Sequence, residues 1–116
     1  MNNPDIFFQT LYKNFNDRNI DLVISQMAEN VKWANGMEGG YVHGHDGVRE
    51  YWTKQFMQVS SNVKPLEITV ENETVKIKVH QVVHDLNKQL LADEIVYHLF
   101  HLKNDKIAEF DIEKNN

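Results

Sequence analysis

The 116-residue sequence predicts an α+β fold. Three observations carry that reading: apolar stripes with helical period early in the chain, one more such stripe after a glycine cluster, and a second half patterned as strands. Helix, helix, strand, helix and then four antiparallel strands is an α+β order. A hydrophobic fraction of 41% and a charged fraction of 25% are ordinary for a globular chain, and the length suits one domain over 1–116. The net charge of −5 offers no footprint for nucleic acid or an anionic membrane, so neither is expected as a partner. There is no cysteine for a disulfide or thiol chemistry, and the first residues lack a basic, apolar leader; both features fit a cytoplasmic location.

Asn3-Pro4-Asp5 reads as a helix start, with a capping amide, a proline in the first turn and an acid at the positive end of the dipole. Phe8, Leu11, Tyr12 and Phe15 follow at i, i+3, i+4 and i+7 and should face the core. The polar run Asn16–Asn19 ends this helix, and Asn19 caps a second, whose buried face is Ile20, Val23, Ile24, Met27 and Ala28. A short strand over Val31–Asn35 places Val31, Trp33 and Asn35 on one side. All five glycines lie between Gly36 and Gly47, ahead of a third helix from about Asp46 to Gln58 carrying Val48, Tyr51, Trp52, Gln55 and Phe56. Strands are expected near Leu66–Glu71, Thr74–Leu86, Leu90–Lys103 and Ile107–Ile112. Asn-Glu-Thr and Asn-Asp-Lys suit the tight turns between them, because Asn and Asp tolerate the left-handed conformation.

The strand Leu90–Lys103 is apolar on both faces: Val96, Phe100 and Leu102 on one, Leu91, Ile95, Tyr97 and Leu99 on the other. One layer of helices covers one face only, so the second is expected to meet another copy of the same sheet in a homodimer.

The segments FNDRNIDLVISQMAENVKWAN and GHDGVREYW resemble the nuclear-transport-factor-2-like superfamily, in its SnoaL-like and ketosteroid-isomerase-like branch. The resemblance spans nearly the whole chain in element order. It implies a cystatin-like cone, a strongly curved, mainly antiparallel sheet wrapped around three helices, with a cavity inside and the glycine-rich loop at its mouth.

Ketosteroid isomerases of this fold use an aspartate base, a tyrosine and a protonated aspartic acid. By register those positions fall here on Asn35, Leu11 (with Tyr12 adjacent) and a point near His98, so isomerisation by that mechanism is not expected. The resemblance to SnoaL-like cyclases, which use an acid and a histidine inside the cone, puts Glu94 and His98 forward instead. His98 is the expected acid or base, since imidazole titrates near neutrality, and Asn35 would orient or polarise a carbonyl. Tyr12 or Tyr51 would donate a hydrogen bond. Trp33, Tyr51, Trp52 and Phe56 stand at core spacings and would wall the pocket. His80 would face His98 if the two long strands pair even residue with even residue, a register that the turn decides.

The six histidines form no recognised metal pattern: His80 and His84 lie roughly 13 Å apart along one strand face, and no His-x-x-x-His falls on a helix. Neither a metal nor a cofactor is therefore expected. Three readings follow: a protein that binds a small apolar molecule, a cofactor-independent enzyme using acid–base chemistry at His98, and a dimerisation module without turnover.

Overall fold

Residues 3–114 are described by a computed structural model; the outermost residues of the expected domain, 1–2 and 115–116, lie outside it. Helix α1 (Pro4–Asn16) starts where its capping residues demand, with the Ile6 N–H donating to Asn3 Oδ1 at 3.2 Å, and it buries Phe8, Leu11 and Tyr12. Helix α2 (Ile20–Ile24) is only one turn long. Met27 and Ala28, expected on its buried face, instead open strand β1 (Met27–Ala34), which therefore starts four residues before Val31 and stops before Asn35. β-Branched Ile20, Val23 and Ile24 are weak helix formers, and the next segment is claimed by the sheet, the Ile107 N–H donating to the Gln26 carbonyl at 2.9 Å.

After the glycine loop come β2 (Tyr41–His43), α3 (Gly44–Phe56), β3 (Val59–Glu71), β4 (Thr74–Asp85), β5 (Leu90–Lys103) and β6 (Lys106–Lys114). They form one six-stranded sheet in the order β2-β1-β6-β5-β4-β3, antiparallel except for the β1–β6 pair. Three-residue β2 is too short to leave a periodic signal. Strand β3 lies at the sheet edge and begins seven residues before the expected Leu66. Pro65, which lacks an N–H, is tolerated there beside a break in register between Pro65 and Glu67. Asn16 binds the free side of this edge at one residue: its Nδ2 donates to the Val63 carbonyl at 2.8 Å and its Oδ1 accepts from the Val63 N–H at 2.9 Å.

Register shifts interrupt the β1–β6, β3–β4, β4–β5 and β5–β6 pairs. Each such irregularity bends and twists its strand, and the result is the expected curved, mainly antiparallel sheet around three helices. The turn between β5 and β6 matches its sequence signal, Asn104 and Asp105 both adopting positive φ (53° and 62°) in a two-residue hairpin.

Helices α1 and α3 bury their stripes on one face of the sheet, where aromatic rings lock the layers together. Trp33 stacks on Phe110 at 4.1 Å and meets Trp52 edge-on at 5.3 Å, while Phe8 packs on Phe100 at 4.8 Å. On the opposite face Leu91 and Ile95 stand 56% and 37% exposed, so the alternation read along β5 is the one the backbone adopts. No helix among the described residues is long and apolar enough to cross a membrane.

Candidate functional site

Between α1, α3 and the inner sheet face lies a cavity of about 580 Å³, within the range of small-molecule sites. Aromatic side chains form much of its wall: Tyr12 and Phe15 from α1, Trp33 from β1, Tyr51 and Trp52 from α3, Phe100 and Phe110 from β5 and β6. The period of each element puts them there, helical spacing in α1 and α3 and alternation in β5 and β6.

Tyr12 and His98 meet in this wall, with Tyr12 Oη 2.6 Å from His98 Nδ1 and the rings nearly parallel (14°) at 5.7 Å. Both are buried, and His98 is flanked edge-on by Phe110 at 4.9 Å. With no charged neighbour to support a cation, burial drives the imidazole pKa down from 6.5 to about 3. Burial likewise raises the Tyr12 hydroxyl well above 10. Both groups are therefore neutral at physiological pH, and His98 does not titrate near neutrality as its residue type suggested. A neutral pair of this kind is adaptable. When Tyr12 donates to Nδ1, Nε2 carries the proton and donates; in the other tautomer Nδ1 donates to Tyr12 and Nε2 accepts.

The glycine loop forms the rim, as expected, and is tied down. Asn35 Oδ1 accepts from the Met37 and Glu38 N–H groups at 3.0 and 2.9 Å, which leaves its Nδ2 for other contacts. Tyr51 Oη accepts from the Gly36 N–H at 3.0 Å. Its pKa is raised, burial outweighing the backbone hydrogen bonds that act against it. Gly39 and Gly40 take positive φ (81° and 70°), a conformation the turn requires and side chains resist. At the mouth the Tyr41 hydroxyl donates to Asp111, and that bond, the largest cause, raises the tyrosine pKa.

Of the residues singled out in the sequence, Tyr12, Trp33, Asn35, Tyr51, Trp52 and His98 line one cavity. Phe56 does not; it packs on Phe15 and under the Arg18 guanidinium, 4.3 Å from the ring, because it falls at the far edge of the α3 stripe. His80 is also elsewhere. Strand β4 pairs with β5 odd to even, so His98 lies opposite Ile77 and His80 opposite Ile95, on the outer face. There His80 Nε2 meets Asp93 Oδ1 at 2.6 Å. Glu94 shares the inner face of β5 with His98 and lies opposite Gln81 but is not part of the cavity wall.

Ser61 and Gln81 are wall residues that the sequence reading passed over. Ser61 precedes the expected start of its strand, and Gln81 needed the β4 register to be known. Gln55 also lines the wall; its place on the α3 stripe was the available signal. Among the described residues no group of three or more His, Asp or Glu side chains could hold a metal ion.

The model of the SnoaL-like domain family matches residues 8–110. Among solved structures, a nuclear-transport-factor-2-like protein of unknown function from Burkholderia pseudomallei superposes with a TM-score of 0.87 at 22% identity, covering 99% of this chain and 92% of its own. TerC, crystallised with polyporic acid, follows with 0.85 at 22% identity, covering 97% and 92%. A candidate polyketide cyclase from Sinorhizobium meliloti gives 0.79 at 19% identity over 97% of both chains. At these identities the likeness establishes the fold. No curated protein matches the chain significantly.

Proposed function

This chain belongs to the SnoaL-like domain family, and from that we propose that it binds a small, uncharged, mostly apolar molecule inside the cavity. The observation that carries the reading is the buried Tyr12–His98 pair set in an aromatic wall. Asp111, at the mouth and engaged by Tyr41, is the one Asp, Glu, Lys or Arg among the described residues lining the cavity. An anionic ligand would lose its hydration there and gain no counter-ion, and a cation would meet only a carboxylate at the mouth that Tyr41 already engages, whereas a neutral one gains area burial and an adaptable hydrogen-bonding pair. The test is an NMR titration with 2-naphthol and with 2-naphthoate, equal in ring size and different in charge. Preferential shifts of cavity amides with 2-naphthol support the proposal; no shifts with either, or equal shifts with both, sink it.

Cyclase-type turnover is the second reading. Three structural neighbours are named as candidate polyketide cyclases, and a neutral Tyr–His pair suits ring closure in an apolar site: His98 Nε2 gives a proton to the substrate as Nδ1 takes the Tyr12 proton, and the phenol oxygen takes one from the substrate, so the pair ends neutral in its other tautomer. Mass spectrometry of the molecule retained through gentle purification separates the two readings: a single species favours binding, and two isomers of one mass favour turnover.

We also propose that the outer sheet face meets a second copy. Ile95, Tyr97 and Leu99 form a stripe along β5, flanked by Lys76 and Lys78 on β4 and by Glu109 and Glu113 on β6. Face-to-face packing about a two-fold axis parallel to β5 lays the basic row of one copy over the acidic row of the other and covers both apolar stripes.

A further inference from the structure

Most polar groups of the cavity wall are paired within the chain: Tyr12 with His98, Tyr51 with Gly36, Asn35 with Met37 and Glu38, Tyr41 with Asp111. Gln55 is different. Its Oε1 is buried and accepts no hydrogen bond, alone in this among the buried side-chain polar atoms of the described residues. The residue stands on α3 one turn beyond Tyr51, on the stripe that also carries Val48 and Trp52, and it forms part of the cavity wall. An apolar side chain would complete that stripe, and buried amide oxygens in native proteins are almost always paired. A glutamine here has a physical reason if its partner arrives from outside.

We infer that Gln55 Oε1 is a specificity-determining acceptor, and that the molecule held in the cavity carries an O–H or N–H group that donates to it. This rests on the binding reading above and narrows it. The ligand class becomes an uncharged, mostly apolar compound bearing a hydroxyl or amine-type donor, as opposed to a plain hydrocarbon or an ether. The discrimination comes from what a wrong ligand leaves behind. A molecule without the donor displaces water from the cavity and strands the carbonyl unpaired, whereas a methyl group more or less in an apolar pocket changes affinity only modestly.

The experiment is calorimetric titration with 2-naphthol and 2-methoxynaphthalene, which share a ring system and differ in one donor. The unmodified protein is expected to prefer 2-naphthol by about tenfold or more. Gln55→Leu should erase most of that preference by tightening 2-methoxynaphthalene, and Gln55→Met, closer in length and flexibility, provides the same comparison should leucine disturb α3. Equal affinities in the unmodified protein, as expected if an ordered water already satisfies Oε1, would overturn the inference while leaving the binding reading in place. A preference that survives both substitutions would overturn it too and assign the hydroxyl to Tyr12 and His98. If neither compound binds any of the three proteins, the binding reading falls, and this inference with it.

Discussion

The two faces of β5 are one residue apart in sequence and far apart in physics. Val96, His98 and Phe100 point inward and are almost wholly buried; Ile95, Tyr97 and Leu99 point outward and keep part of their surface in solvent. Histidines sample both environments. On the inner face His98 has a phenol for company and loses its proton; on the outer face of the neighbouring strand His80 has a carboxylate, Asp93, and water around it. Residue type says little about what a histidine does until register says which side it is on. The inner face presents aromatic rings and neutral polar groups, and the outer face sets charge beside apolar surface, with Lys76 4.8 Å from the Tyr97 ring and 3.7 Å from Glu113.

The contrast is broken most sharply by truncation. Phe100→Ala removes a ring packed on Phe8 and Phe110 and should cost about 3–5 kcal/mol in urea unfolding. Leu99→Ala, measured at concentrations low enough to keep the chain monomeric, should cost roughly a third of that or less. Comparable losses would show that the outer face is as deeply packed as the inner one.

Acid should act through the inner face. The folded pKa of His98, about 3, lies below its ordinary 6.5, so in that window the unfolded chain takes up a proton that the folded chain refuses. Stability contributed by the neutral imidazole is complete above 6.5 and is lost as pH falls toward 3, with a slope of at most about 1.4 kcal/mol per pH unit. His98→Gln should flatten this limb of a stability–pH profile. An unchanged slope in the variant would place the responsible group elsewhere.

On the outer face, Ile95→Lys should shift the assembly toward monomer in light scattering, since it sets a charge in the centre of the proposed contact. A monomer for the unmodified protein at tens of micromolar, roughly the range where a micromolar Kd is saturated, would refute the two-fold contact. The smallest effect belongs to the rim. Tyr51→Phe removes the hydroxyl that accepts from Gly36 and should cost about 1 kcal/mol, with faster amide exchange at Gly36 and little change at Phe100. Unaltered exchange at Gly36 would mean that Tyr51 does not hold the loop.

Periodicity made the inner face legible. Phe8, Leu11 and Tyr12 on α1, Val48 and Trp52 on α3, and the even residues of β5 could all be assigned from spacing, and most of the cavity wall follows from them. What escaped were features set by pairing and not by local pattern. The parallel β1–β6 contact turned Met27 from a helix residue into a strand residue. The bulge at Pro65 hid the first half of β3, and with it Ser61. The odd-to-even register of β4 on β5 sent His80 outward and brought Gln81 in; beside the hairpin His84 still pairs with Leu90, even with even, and it is the irregularity between Val83 and His84 that shifts the rest by one, which no alternation rule fixes. Phe56 misled for a different reason: a helix stripe has a width, and its edge faces other helical residues before it faces the sheet.

Asn16 has a consequence for solubility. The unpaired side of β3 is a template on which any extended chain could add itself, the first step of strand-by-strand polymerisation. By presenting one donor and one acceptor to Val63, the Asn16 amide imitates the backbone of a seventh strand for the length of one residue and stops there. Pro65 spoils the next pairing position, and at the other end of the sheet β2 is too short to seed anything. An asparagine that seems only to end a helix thus also acts as a cap against fibre growth, and its loss should show first as slow aggregation on storage, before any drop in melting temperature.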